Sequence, residues 1–93
     1  MANHLFISCE LDRPEKNYDR VEAAIKSVGD AWFKTQFTLW HLKTAQSARQ
    51  VCDLLLPALD KNDRLIVIDA TNDKAAWSNL DADASRRLRD QGY

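Results

Sequence analysis

Two carboxylates stand at the exit of the first apolar run. "HLFISCEL", residues 4–11, carries Glu10, and Asp12 follows two positions later. An acid leaving a strand can ligate a hard cation, act as a catalytic base, or simply end the strand. Glu10 and Asp12 share one side if the strand continues through them, because strand side chains alternate with a period of two. A pair of this kind could hold one hard cation. The remaining carboxylate in a comparable place is Asp69, at the end of the last apolar run "RLIVIDA".

Other residue types suited to chemistry lie further along. His41 sits mid-strand beside Trp40, where an imidazole serves as a general base or a phosphate contact, or is a partly exposed structural residue. His4, at the chain start, reads as solvated. Trp32, Phe33, Phe37 and Trp40 are interleaved with Lys34 and Lys43. Aromatics beside lysines on a sheet either stack single-stranded bases or pack a core and an interface. "SRRLRDQ" holds Arg86, Arg87 and Arg89, the densest positive charge in the chain. On a helix Arg86 and Arg89 share a face that Asp90 interrupts, so they can touch phosphates or complement the end of their own helix. The chain has no Gly-rich phosphate loop, no Ser-His-Asp order and no zinc spacing. Cys9 and Cys52 read as buried, reduced thiols.

The elements that must position these groups follow from periodicity and breakers. Residues 4–11 alternate with apolar groups on both sides, as in a central strand. Pro14 breaks that run. Residues 17–28 carry Tyr18, Val21, Ala24, Ile25 and Val28 on one stripe, and Gly29 reads as a left-handed C-terminal cap. Residues 31–34 and 37–43 read as a hairpin. Ser47 with Gln50 forms a capping box before a helix over 48–58, which Pro57 shortens. Residues 64–70 read as a buried strand. The order β-α-β-β-α-β predicts an α+β, ferredoxin-like sandwich with a four-stranded antiparallel sheet and both helices on one face. After a core over residues 3–70, the tail, 71–93, predicts a helical turn around Trp77 and a helix from Ala82 to Asp90.

On the first strand Phe6 and Ser8 oppose Leu5 and Ile7, on the third Phe37, Leu39 and His41 oppose Thr38, Trp40 and Leu42, and on the last Leu65, Val67 and Asp69 oppose Ile66 and Ile68, so neither face of the sheet is polar. A cover is therefore required, either the C-terminal tail or a second copy across a two-fold axis, and the homodimer is the expectation. At 93 residues the chain is one domain, and a partner subunit adds stability at this size. Its 13 basic and 14 acidic residues give a net charge of −1, so any nucleic-acid footprint must be a local patch. No apolar run reaches membrane-spanning length and no signal peptide precedes the first strand, so a cytoplasmic location is expected.

"LFISCEL", the helix leading into "SVGDAWFKTQFTLWHLKT", then "DRLIVIDAT" and "AAW" occur in an order and spacing that resemble the SinR-type small bacterial proteins. That family is similar to the CRISPR-associated endoribonuclease and spacer-integration subunit, and more distantly to VapD-type ribonucleases. The likeness covers essentially the whole chain. It implies a ferredoxin-like homodimer in which an acid ending the first strand lies near its mate and binds Mg²⁺ or Mn²⁺. Glu10 stands where the family often has an Asp, and Cys9 where it has a Tyr. With these departures and sparse catalytic groups, the function read from the sequence is a homodimeric module acting through protein or nucleic-acid binding, without robust nuclease activity. A Mg-dependent endoribonuclease using Glu10 and Asp12 is the alternative. Lys34, Trp40, His41, Arg86, Arg87 and Arg89 are the candidate RNA or DNA contacts.

Overall fold

The computed structural model describes the backbone of residues 2–12, 14–36 and 38–93, and the side chains of all of these but 14–17. Phe37, placed by the sequence at the start of the third strand, lies outside the described residues. The elements are β1 (Asn3–Glu10), α1 (Pro14–Ser27), β2 (Ala31–Gln36), β3 (Leu39–Thr44), α2 (Ala48–Leu55) with a 3₁₀ turn over Leu56–Ala58, β4 (Arg64–Asp69) and α3 (Ala82–Asp90). The fold is α+β. Its four strands are antiparallel in the order β2-β3-β1-β4, an arrangement compatible with a ferredoxin-like sandwich.

Local chemistry explains most of the element ends. α1 opens at Pro14, earlier than the stripe of apolar residues suggests, because a proline lacks only an N–H that the first helical turn leaves unused. The Ser47 hydroxyl accepts from the Gln50 backbone N–H, and the Gln50 side chain accepts from the Ser47 N–H, which closes the capping box of α2. Pro57 converts the continuation of that helix into the 3₁₀ turn.

Two expectations are corrected. Gly29 does not adopt a left-handed conformation; among the described glycines Gly92 alone has positive φ. Gly29 is required instead by close approach, since a Cβ there would lie 2.2 Å from Leu42 Cδ1. Around Trp77 no helical turn forms, and residues 73–77 run without regular structure up to a bend at 78–79.

α1 and α2 pack on one face of the sheet. Leu5, Ile7 and Cys9 of β1 and Trp40 and Leu42 of β3 meet Val21 and Ile25 of α1 and Val51 and Leu55 of α2 in one buried cluster. Burying each such Leu or Ile contributes about 1.5–3 kcal/mol.

The other face is met by α3. Asp81 caps that helix by accepting from the Ala84 N–H at 2.8 Å. Its C-terminus closes as a Schellman motif. The Tyr93 N–H donates to the Leu88 carbonyl at 3.1 Å and the Gly92 N–H to the Arg89 carbonyl at 2.9 Å, with Gly92 at φ 95°. This turn lays Tyr93 back on the sheet, its ring 5.5 Å from Phe6 and 5.8 Å from His41. Its hydroxyl donates to the Ala70 carbonyl at 3.0 Å. Ala84 and Leu88 are buried underneath. α3 lies against β2, so the β4 end of this face remains open, with Ile66 and Ile68 at 58% and 53% exposure.

Candidate functional site

The acidic residues are dispersed along the sheet. β1 stops at Glu10, and Asp12 sits beyond the strand end, so the alternation that would align them does not extend that far. They do line one open cavity of about 410 Å³ with Leu11, Asn62 and Arg64. Arg64 takes up Glu10, its Nη1 lying 3.3 Å from Oε1 in an exposed pair. The Asp12 N–H donates to Asp63 Oδ1 at 2.8 Å. Asp69 cannot join them. It pairs with Leu5, whereas Glu10 pairs with Arg64, five residues and about 17 Å along the strand. Asp69 is instead committed to Thr71, whose hydroxyl and backbone N–H donate to Oδ1 at 2.6 and 3.0 Å and hold its carboxyl below the usual carboxylate range. Among the described residues no three His, Cys, Asp or Glu side chains gather as a metal-ion group.

Lys34 and Trp40 lie on the helix-covered face, apart from the other candidate contacts. Trp40 is buried in the core. The Lys34 ammonium donates to the Tyr18 hydroxyl and sits over the Tyr18 and Trp40 rings at 5.0 and 5.2 Å. That hydrogen bond raises its pKa above the ordinary lysine value.

The opposite face brings three candidates together. His41, Arg86 and Arg87, up to 46 positions apart in sequence, line one cavity of about 240 Å³ with Trp32, Phe33 and Lys43. Register explains the sheet side of this wall. Phe33 is the cross-strand partner of His41, and Lys43 is two residues on, so all three project on the same side. Helical geometry supplies the other wall, and one carboxylate sets it: Asp83 accepts from Arg87 Nε at 2.9 Å and pairs with the Arg86 guanidinium, holding both side chains over the sheet. The Arg87 guanidinium lies 6.0 Å from the Phe33 ring centroid. Asp90 and Gln91 complete the rim, and Arg89 is not among the lining residues.

His41 is 1% exposed, not the partly exposed strand residue that its sequence position suggests. Its ring stacks on Phe33 at 4.8 Å, meets Phe6 edge-on at 5.1 Å and lies 5.5 Å from His4. Burial, with the His4 charge second, pushes its pKa down to about 4, so the imidazole is neutral at pH 7. His41 Nε2 and His4 Nδ1 are both buried, with no hydrogen-bond partner among the described residues. A neutral, enclosed imidazole shapes and desolvates the wall while the lysine and arginines carry its charge.

Compared with protein-family models, curated proteins and solved structures, the chain matches none. Sequence reasoning named Lys43 beside the hairpin aromatics but left it out of the candidate contacts, although strand alternation with His41 was the available signal. It also missed Asp83, whose spacing of three and four residues from Arg86 and Arg87 is the helix pairing rule itself.

Proposed function

We propose that the chain is a ferredoxin-like homodimeric module of SinR type that binds single-stranded nucleic acid on the face carrying α3, without robust nuclease chemistry. The observation that carries this reading is the convergence of Lys43, Arg86 and Arg87 on one cavity beside Phe33, in a protein whose overall charge is −1. Local cations of this kind neutralise phosphates and release counterions. Trp32 contributes to the cavity edge only, since it pairs with Leu42 and turns its ring to the other face, against Trp40 and Lys26. The strand order and the shared face of α1 and α2 support the ferredoxin-like assignment, and the exposed isoleucines of β4 support self-association. Among the described residues no helix is long and apolar enough to cross a membrane. Cys9 and Cys52 are free thiols, as expected in the reducing cytoplasm, and burial pushes the Cys9 thiol up to about 11, which keeps it protonated and unreactive.

Fluorescence anisotropy with labelled single-stranded RNA and DNA tests this reading, with Mg²⁺, Mn²⁺ or EDTA present. Binding should weaken about tenfold in Arg87→Ala and in Lys43→Ala, the loss of roughly one phosphate contact each. No binding to either strand, or binding untouched by both substitutions, removes the proposal. Cleavage that needs the metal and disappears in Glu10→Ala would install the endoribonuclease in its place.

A further inference from the structure

β4 is an edge strand with an unusual combination of features. It ends the sheet order, so one side of its backbone meets no other strand. Its sequence, "RLIVID", is apolar at four consecutive positions. Long apolar edges without lysine, proline or a bulge template the addition of another strand. The opposite edge, β2, is differently built: it contains Lys34, has a register shift between Lys34 and Gln36, and is covered by α3.

The hydrogen-bond parity of β4 is fixed by its neighbour. The Ala70 N–H donates to the His4 carbonyl at 2.8 Å, and Cys9 of β1 donates in the other direction, to Thr38 at 3.1 Å. Antiparallel ladders alternate, so Arg64, Ile66 and Ile68 bond to β1, while Leu65, Val67 and Asp69 direct their N–H and C=O groups to the free edge.

We propose that this edge pairs with the β4 of a second copy, antiparallel about a two-fold axis at Val67, to give one eight-stranded sheet. The inference rests on the self-association in the reading above and specifies its surface. The outward residues then bond Val67 to Val67, and Leu65 to Asp69 of the partner subunit. Between them Ile66 faces Ile68 of the partner subunit in a non-hydrogen-bonded pair, where Cα atoms are about 4.5 Å apart and side chains pack closest. Both copies of this pair lie on the open face, so four exposed isoleucines cover one another. Charge selects the orientation. Antiparallel pairing sets the Arg64 end of each strand beside the Asp69 end of the other, whereas parallel pairing would set like with like. The axis is perpendicular to the sheet, so both basic cavities open on the same face. β3 and its mate are five strand spacings apart, about 24 Å, close enough for one extended nucleic-acid strand to engage both.

Two measurements decide this. In sedimentation equilibrium, Val67→Pro should weaken dimerisation about tenfold or more, because it deletes an outward donor; Val67 also packs against the core, so a retained circular dichroism spectrum is required of this variant. Ile68→Lys, at an exposed site, should do the same. Separately, Ile66→Cys and Ile68→Cys chains in a Cys52→Ser background should form an interchain disulfide when mixed and not when oxidised alone. If the wild type dimerises but the variants do too, or each cysteine variant cross-links to itself, the β4 edge is wrong and self-association by another surface stands. A wild type that is monomeric at about 100 μM, near the concentrations where weak dimers form, overturns both.

Discussion

The two faces of the sheet solve the same problem with different materials. On one, aliphatic side chains from α1 and α2 interlock with Leu5, Ile7 and Leu42 into a core with little polar content. On the other, α3 covers Phe6, Phe33 and His41 with Leu88 and Tyr93, and its Arg87 lies over the Phe33 ring. The first arrangement gains from apolar area alone. The second mixes rings, an imidazole and guanidinium groups, and it stays open enough at its margins to hold a cavity and an exposed strand edge. Stability is concentrated on the first face, and the recognition proposed above belongs to the second.

The largest effects should separate the faces. Leu55→Ala, at a fully buried site, should cost about 2–5 kcal/mol of global stability in urea unfolding. Leu88→Ala should instead loosen residues 82–93 in hydrogen exchange while β1 and β3 stay protected. Equal protection loss across both faces would mean that they are one cooperative core.

Acid should also distinguish them. The His41 pKa is pushed from 6.5 to about 4 in the folded protein, so below pH 6.5 the unfolded chain binds a proton that the folded chain refuses. Stability therefore falls as pH drops from 6.5 and levels off near 4, by about 3 kcal/mol in total. His41→Phe should remove this dependence. A wild-type-to-variant difference that stays flat from pH 7 to pH 4 would contradict the buried neutral imidazole.

The two glycines sharpen the contrast at a smaller scale. Gly29→Ala forces a Cβ into Leu42 and should cost about 1–3 kcal/mol of global stability. Gly92→Ala meets no steric neighbour but must hold φ 95°, costing about 1–2 kcal/mol and appearing chiefly as release of Tyr93 fluorescence and exchange protection in the tail. The smallest change belongs to the exposed Glu10–Arg64 pair, where Glu10→Gln should shift stability by less than about 0.5 kcal/mol.

Features governed by local periodicity were readable in the sequence: the alternating strands, the stripe of α1 and the Ser47–Gln50 box. What escaped was set by contacts across the sheet. Gly29 answers to Leu42, thirteen residues away, and so was mistaken for a cap. His41 is enclosed by Phe6, Phe33 and Tyr93, and nothing within its own strand announces that burial. The candidate contacts divided for the same reason. Lys34 and Trp40 differ in face from His41 by parity alone, and sequence proximity hid the separation. Arg86 and Arg87 could be placed on a helix, but only packing brings that helix over Lys43.

Nitrogen-15 amide and side-chain spectra recorded during titration with a short single-stranded oligonucleotide test the division of labour between the faces most directly. Shifts should concentrate at Lys43, Arg86 and Arg87, leaving Lys34, Trp40 and the Glu10–Asp12 end unmoved. Shifts confined to that acidic end, or to the face under α1 and α2, would contradict it.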